Sequence, residues 1–245
     1  MTSSKSLPTI SVVIPAYNEQ DFIGQCLESL SEQELKPLEI IVVDNNSRDQ
    51  TGAIASGYPL VKVIKEPKQG IVYARNAGFN AARGDIIARC DADSHLSKTW
   101  LAHIAATFAT DTDLAALTGP VGFHDLPKKW TQIEPVLKQA HVVGYFKGTK
   151  VLLGHEALFG SNMAIRRPFW LKIKDQVCLD ESKMHEDTDL AVHVSQAGGT
   201  IKYDPNLQAT MSMRRLKSDQ ISYLQRWIKT GMSHSSAQKA KRSES

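Results

Sequence analysis

The feature that most constrains this chain is a succession of short apolar runs, each breaking off into polar residues. Ile10 to Pro15 (Ile-Ser-Val-Val-Ile-Pro), Glu39 to Val43, Val61 to Ile64 and Ile86 to Cys90 are rich in β-branched residues and only four to six long. Such runs fit strands covered on both faces. Between them, apolar residues recur at helical spacing. Phe22, Ile23, Cys26, Leu27 and Leu30 follow a capping Asp21; a short helix over Asp49 to Ala55 follows the turn Asn45-Asn46-Ser47; another runs through Tyr73 to Ala82 and is closed by Gly84. This alternation predicts right-handed βαβ units and a parallel sheet.

The second half is less regular. Trp100, Leu101, Ile104 and Phe108 mark a helix, and Leu114 to Val121 a strand ended by Gly119-Pro120. Leu158 to Ile165 reads as an apolar strand, and Arg166-Arg167-Pro168 as a turn away from it. A helix opens at Glu186-Asp187, runs through Leu190, Ala191 and Val194, and stops at Gly198-Gly199; Thr200 to Tyr203 is the last expected strand. With 245 residues, 42% of them hydrophobic, the chain suffices for one large α/β domain or at most two small ones.

Parallel sheets bind ligands beyond the carboxyl ends of their strands. Three such ends here carry Tyr17-Asn18-Glu19, Asp44-Asn45-Asn46 and Asp91-Ala92-Asp93, all directed to one rim. The Asp91/Asp93 pair directly follows the largely apolar run Ile86 to Cys90, and a hard cation such as Mg²⁺ or Mn²⁺ takes one or two carboxylates together with substrate phosphate oxygens. Two Asp before Ser94 are also ordinary turn and cap chemistry. Asp44 is open to two readings as well, an acceptor for a ligand N–H or a helix cap.

The ordered set of motifs resembles the family 2 glycosyltransferases of the GT-A fold, a Rossmann-like mixed sheet flanked by helices. The resemblance rests on Ser11 to Glu19, Ile41 to Ser47, Gly70 to Ala82, Gly84-Asp85 through Asp93, Gly160-Ser161-Asn162 and Glu186-Asp187. It implies transfer of a sugar from a nucleotide diphosphate donor, a UDP-sugar by preference, to an acceptor hydroxyl with inversion and metal assistance. Pro15, Ala16, Tyr17 and Glu19 are expected to line the base and ribose pocket, with Asp44 accepting from a uracil-like N–H. Arg75 is expected near the diphosphate, its alternative being an ion pair on an exposed helix face. Asp91 is placed at the ribose or sugar and Asp93 on the Mn²⁺ or Mg²⁺ ion. Glu186-Asp187 is the expected catalytic pair, with Asp187 as general base; a helix-start carboxylate also has a purely structural use. Gly160, Ser161 and Asn162 are expected at the acceptor pocket, with Trp130, Tyr145 and Phe146 as candidates to stack on a sugar or to fill the core.

The implied organisation is a GT-A domain over residues 9–213, with 9–93 as nucleotide-binding half and 94–213 as acceptor half, and a basic helix and tail over 214–245. That tail holds eight Lys/Arg against two Asp/Glu. Its residues Tyr223, Leu224, Trp227 and Ile228 could form an apolar stripe for a membrane surface. Gln225-Arg226-Trp227 is a compressed form of the processive members' motif, so a single transfer per encounter is expected. The three cysteines, the absence of a signal-peptide core before Pro8 and of any long apolar run place the chain in the cytoplasm, or peripherally at the membrane's inner face. Expected partners are a nucleotide-sugar donor and a saccharide or lipid-linked acceptor from cell-envelope polysaccharide or glycolipid synthesis, but not nucleic acid. A polyisoprenyl phosphate acceptor and a non-catalytic sugar-nucleotide binder are the rival readings. A dinucleotide oxidoreductase is a poor reading, because Pro15-Ala16-Tyr17-Asn18-Glu19-Gln20 stands where G-x-G-x-x-G is required.

Overall fold

A computed structural model of the chain describes residues 6–128, 132, 142–180 and 184–214, with the backbone alone at Val142, Val143, Tyr145 and Leu152. In chain order the first half holds β1 (Ile10–Ala16), α1 (Ile23–Ser31), β2 (Glu39–Asp44), α2 (Thr51–Ser56), β3 (Val61–Lys65), α3 (Ile71–Ala81) and β4 (Ile86–Cys90). Then come β5 (His95–Leu96), α4 (Trp100–Thr110), β6 (Leu114–Thr118) and β7 (Val121–Phe123). A π-helical turn (Val142–Lys147) leads to α5 (Gly148–Leu153), β8 (Asn162–Arg166), α6 (Arg167–Ile173), α7 (Glu186–Gln196), β9 (Thr200–Tyr203) and β10 (Ala209–Met211).

The four apolar runs form the expected parallel block, in the order β3-β2-β1-β4. The sheet then continues through β8, β6 and β9, and β8 runs antiparallel to both β4 and β6. That reversal matters for the site. An antiparallel strand begins where its parallel neighbours end, so the residues entering β8 lie at the carboxyl rim of β4. The register pairs Cys90 with Asn162, which sets Gly160 and Ser161 beside Asp91.

Several local expectations change. The strand expected from Leu158 starts only at Asn162, and Arg166-Arg167-Pro168 opens α6. Proline fits a first helical turn, where its missing N–H has no partner to lose. Asp21 does not cap α1; the Phe22 and Ile23 N–H groups instead donate to the Glu19 carbonyl at 3.0 and 2.9 Å. Thr200–Tyr203 is followed by β10, which joins a small second sheet ordered β5-β10-β7.

Period-two alternation sorts the sheet residues onto two buried layers. Val12, Ile14, Ile40, Val42, Ile86 and Ala88 pack with α1 and α4, while Val13, Ile41, Val43 and Ile87 pack with Phe79 of α3, Trp170 of α6 and Leu190 of α7. Helix α3 lies very close to the sheet. A Cβ at Gly78 would stand 2.3 Å from Val13 Cγ1, so glycine is what permits the approach.

Candidate functional site

The same alternation places one charge inside the apolar sheet. Arg89 follows Ala88 in β4 and therefore shares the face of Ile87, beneath α3 and α7. It is 2% exposed. Its Nη1 donates to Glu186 Oε1 at 2.5 Å and to Asp187 Oδ1 at 3.2 Å, and Nη2 lies 3.7 Å from Asp91 Oδ1. One guanidinium thus spans the end of β4 and the start of α7. Sequence reasoning misses Arg89, although a lone cation within a buried five-residue run is a signal, since arginine is rarely buried without a partner.

Arg75 is not on an exposed helix face. Its side chain is fully buried, and Nη1 pairs with Glu186 Oε2 at 2.6 Å and donates to the Glu186 carbonyl at 3.0 Å. Its Nη2 has no hydrogen-bond partner among the described residues. Burial by itself would raise the Glu186 carboxyl, but the two guanidiniums override it and hold the group far below the usual carboxylate range. Asp187 goes the other way. Burial, then the Glu186 carboxylate beside it, push it well above its ordinary value, against the pull of Arg89 and of the Gly160 N–H, which donates to Oδ2 at 2.8 Å. Two adjacent carboxyls are thereby driven apart, one fixed as an anion and the other poised to exchange a proton.

Of the residues expected at the acceptor pocket, Gly160 contacts Asp187 and Ser161 contacts Asp91. A Cβ at Gly160 would stand 2.6 Å from both Arg89 Cζ and Asp187 Oδ1, so glycine here makes room for the ion pair. Ser161 Oγ donates to Asp91 Oδ2 at 2.6 Å. Asn162 is fully buried and its amide is committed: Oδ1 accepts from Trp100 Nε1 at 2.9 Å, and Nδ2 donates to the Pro120 and Leu207 carbonyls at 3.0 and 2.6 Å. Phe146 is buried against Tyr203, ring centroids 4.5 Å apart. Trp130, the Tyr145 side chain and residues 215–245, with Gln225-Arg226-Trp227 among them, lie outside the described residues.

The rim beyond β1, β2 and β4 gathers the remaining candidates. Pro15 and Ala16 are buried in β1, Tyr17 is 45% exposed at its end, and Glu19 is buried with its N–H on Thr51 Oγ1 at 2.7 Å. Asp44 Oδ1 accepts the Ser47 N–H at 2.9 Å, closing a turn, while Oδ2 lies near Gly52. Asn45 ties this rim to the next loop, donating to the Glu66 and Lys68 carbonyls and accepting the Gly70 N–H at 2.8 Å. Asp93 is buried, and the Arg214 guanidinium seats on it and on Glu19. Counting Glu19, Asp91, Asp93, Glu186 and Asp187 against Arg75, Arg89 and Arg214, five carboxylates meet three guanidiniums. Among the described residues the rim is therefore rich in carboxylates, and its donors are hard oxygens.

Comparison with known proteins bears on the family and the fold. The model of the family described as glycosyl transferase family 2 matches residues 11–172. The probable glycosyltransferase YdaM of Bacillus subtilis is 31% identical over 216 residues, 82% of this chain and 50% of that protein. The putative glycosyltransferase EpsH of the same organism is 34% identical over 125 residues, 49% of this chain and 36% of that protein. The chain thus spans half or less of the length of these curated relatives. A mannosyltransferase from Pyrobaculum calidifontis, solved with GDP-Man and Mn²⁺, superposes with a TM-score of 0.65 at 21% identity, covering 87% of this chain and 59% of that one. S. aureus TarS 1-349 with UDP-GlcNAc gives 0.62 at 20%, covering 84% and 59%. No helix among the described residues is long and apolar enough to cross a membrane.

Proposed function

This chain belongs to glycosyl transferase family 2 and has the GT-A fold, and from that premise we propose that it transfers a sugar from a nucleotide diphosphate donor to an acceptor hydroxyl, with inversion and one transfer per encounter. The observation that carries the reading is the Arg89 guanidinium, which contacts Asp187 at 3.2 Å and reaches to 3.7 Å from Asp91, so that a proton acceptor and a donor-side carboxylate share one rim. Neighbours of the same fold solved with GDP-Man and Mn²⁺ or with UDP-GlcNAc support a nucleotide-sugar donor. Residues 9–213 act as one domain in this reading, 9–93 presenting the donor and 94–213 the acceptor.

Asp187 takes the acceptor's proton as the hydroxyl attacks, an effect worth about 10²–10⁴-fold in rate. A base is best tuned near the working pH, and the upward push on Asp187 is in that direction. The fixed anion of Glu186 supplies part of that push while Arg75 and Arg89 hold it in place. On the donor side, Pro15, Ala16, Tyr17, Glu19 and Asp44 face the base and ribose, and Ser161 orients Asp91 toward the sugar or ribose.

Mg²⁺ or Mn²⁺ fits the residues present. No three His, Cys, Asp or Glu side chains surround one point among the described residues, so substrate oxygens would have to complete the shell. Asp93, with Asp91, would hold the ion. Once bound, it would offset the charge that grows on the departing nucleoside diphosphate.

The test is a donor-hydrolysis screen across UDP- and GDP-sugars, with Mn²⁺ or Mg²⁺ and then with chelator, repeated on Asp187→Asn. Nucleotide release that needs the metal, with transfer lost but donor binding kept in Asp187→Asn, is the expected result. Transfer at the parent rate in that variant would remove Asp187 from the role of base. Donor binding without any turnover in the parent protein would favour a sugar-nucleotide-binding protein.

A further inference from the structure

Arg214 stands at the start of what the sequence marks as a separate basic tail, yet its side chain is part of the donor rim. Nε donates to Asp93 Oδ2 at 3.2 Å, and Nη2 pairs with Glu19 Oε2. The guanidinium lies over the Phe22 ring, 4.0 Å from its centre. The backbone immediately before it is fixed: Ser212 Oγ donates to Asp125 Oδ2 at 2.6 Å and the Met213 N–H to Asp125 Oδ1 at 2.7 Å. The side chain itself keeps 31% exposure, while that of Asp93 has none. A charged arm therefore rests on a buried carboxylate from a pinned base, with solvent on its outer side.

A divalent cation and a guanidinium cannot share one carboxylate oxygen at little cost. The ion needs that oxygen at about 2.0–2.6 Å, and two cations so close repel strongly where water is scarce. We propose that Arg214 is the counter-cation of the donor-free site: it occupies Asp93 and Glu19 until a divalent ion displaces it, and it then pairs with the donor diphosphate. The planar guanidinium suits phosphate oxygens in two-point contact. Seen this way, the site never exposes its acidic rim uncompensated, and the arm that leaves the metal position joins the hold on the donor. The inference rests on the reading of Asp93 as the cation's ligand, and the experiment separates the two.

Mn²⁺ binding to the full-length protein is titrated by electron paramagnetic resonance without nucleotide, for the parent, Arg214→Ala, Arg214→Lys and Asp93→Asn. UDP and GDP binding is then measured by calorimetry at saturating Mn²⁺. Arg214→Ala should bind Mn²⁺ about tenfold more tightly and the preferred nucleotide about tenfold more weakly, the scale expected of a single charge-assisted hydrogen bond. Arg214→Lys should fall between the two for the nucleotide. Equal or weaker Mn²⁺ binding in Arg214→Ala overturns the competition, and unchanged nucleotide affinity overturns the transfer to the diphosphate. Loss of Mn²⁺ binding in Asp93→Asn upholds the underlying ligand assignment; Mn²⁺ binding by none of the four proteins overturns that assignment and the proposal with it.

Discussion

Replacing Arg89 with Met removes a buried charge while keeping an unbranched chain of similar length. Glu186 would retain Arg75 at 2.6 Å, but Asp187 and Asp91 would lose the guanidinium at 3.2 and 3.7 Å. Removing one partner of a buried ion pair costs about 3–5 kcal/mol, because the remaining charge is left uncompensated. Here part of that cost is avoidable, since Asp187 is already pushed upward and the loss of Arg89 pushes it further, so it can take up a proton. The sign of the pH dependence follows. A carboxyl with a raised folded-state value contributes stability that is complete below its unfolded value near 3.9 and is lost as pH rises through the raised one. Between those limits the native state binds more protons than the unfolded chain, and each such proton lowers stability by up to about 1.4 kcal/mol per pH unit. Arg89→Met should therefore unfold about 3 kcal/mol more easily than the parent at pH 8, and the deficit should shrink as pH falls. Urea denaturation across this pH range, read by circular dichroism, measures both quantities. A loss under about 1 kcal/mol at pH 8 with the parent's pH slope would refute the argument that Arg89 neutralises these carboxylates.

The other predictions are narrower. In the parent protein the acidic limb of kcat should lie well above the ordinary aspartate range, because Asp187 must lose its proton to act and burial with Glu186 holds it up; a limb near pH 4 would contradict this. Gly160→Ala sets a methyl 2.6 Å from Arg89 and Asp187, and should cost about 1–3 kcal/mol of stability and most of the transfer rate, measured by denaturation and a donor assay. Ser161→Ala deletes the 2.6 Å bond to Asp91 and should weaken donor binding by about three- to tenfold in calorimetry, with the acidic limb unmoved. Asn162→Ala orphans Trp100 Nε1 and two carbonyls, and should cost about 2–3 kcal/mol while acceptor KM stays near the parent value, a split expected of a bracing residue but not of an acceptor contact.

What can be read from the sequence follows the range of the interactions involved. Strands β1, β2, β3 and β4 are short stretches whose composition alone nearly delimits them, and Asp91-Ala92-Asp93 is legible because it directly follows one of them. Helix α6 escapes because Pro168 signals a break unless it is known to sit in a first turn. Within the site, Asp187 is legible, but what holds it is not. Its partner Arg89 is 98 residues away, and the Arg75–Glu186 contact joins residues 111 apart. No local pattern reports such pairs. For the same reason no local pattern reveals that Arg75 pairs with Glu186 or that Asn162 bonds to Trp100, Pro120 and Leu207. The antiparallel β8 is not announced by any local pattern either, and it brings Gly160 and Ser161 to the end of β4.

The central position of β4 also has a kinetic consequence. Flanked by β1 and β8, its amides can meet water only when the middle of the seven-stranded sheet opens, and such regions exchange hydrogen at rates set by near-global unfolding. Arg89 is carried on that strand, and Asp91 follows its last residue directly. Arg214 instead follows β10, a three-residue strand of the small second sheet, where opening should be far more frequent. On the proposed reading the donor site is thus assembled from two clocks, a slow one that keeps its carboxylates aligned and a fast one that carries its movable cation.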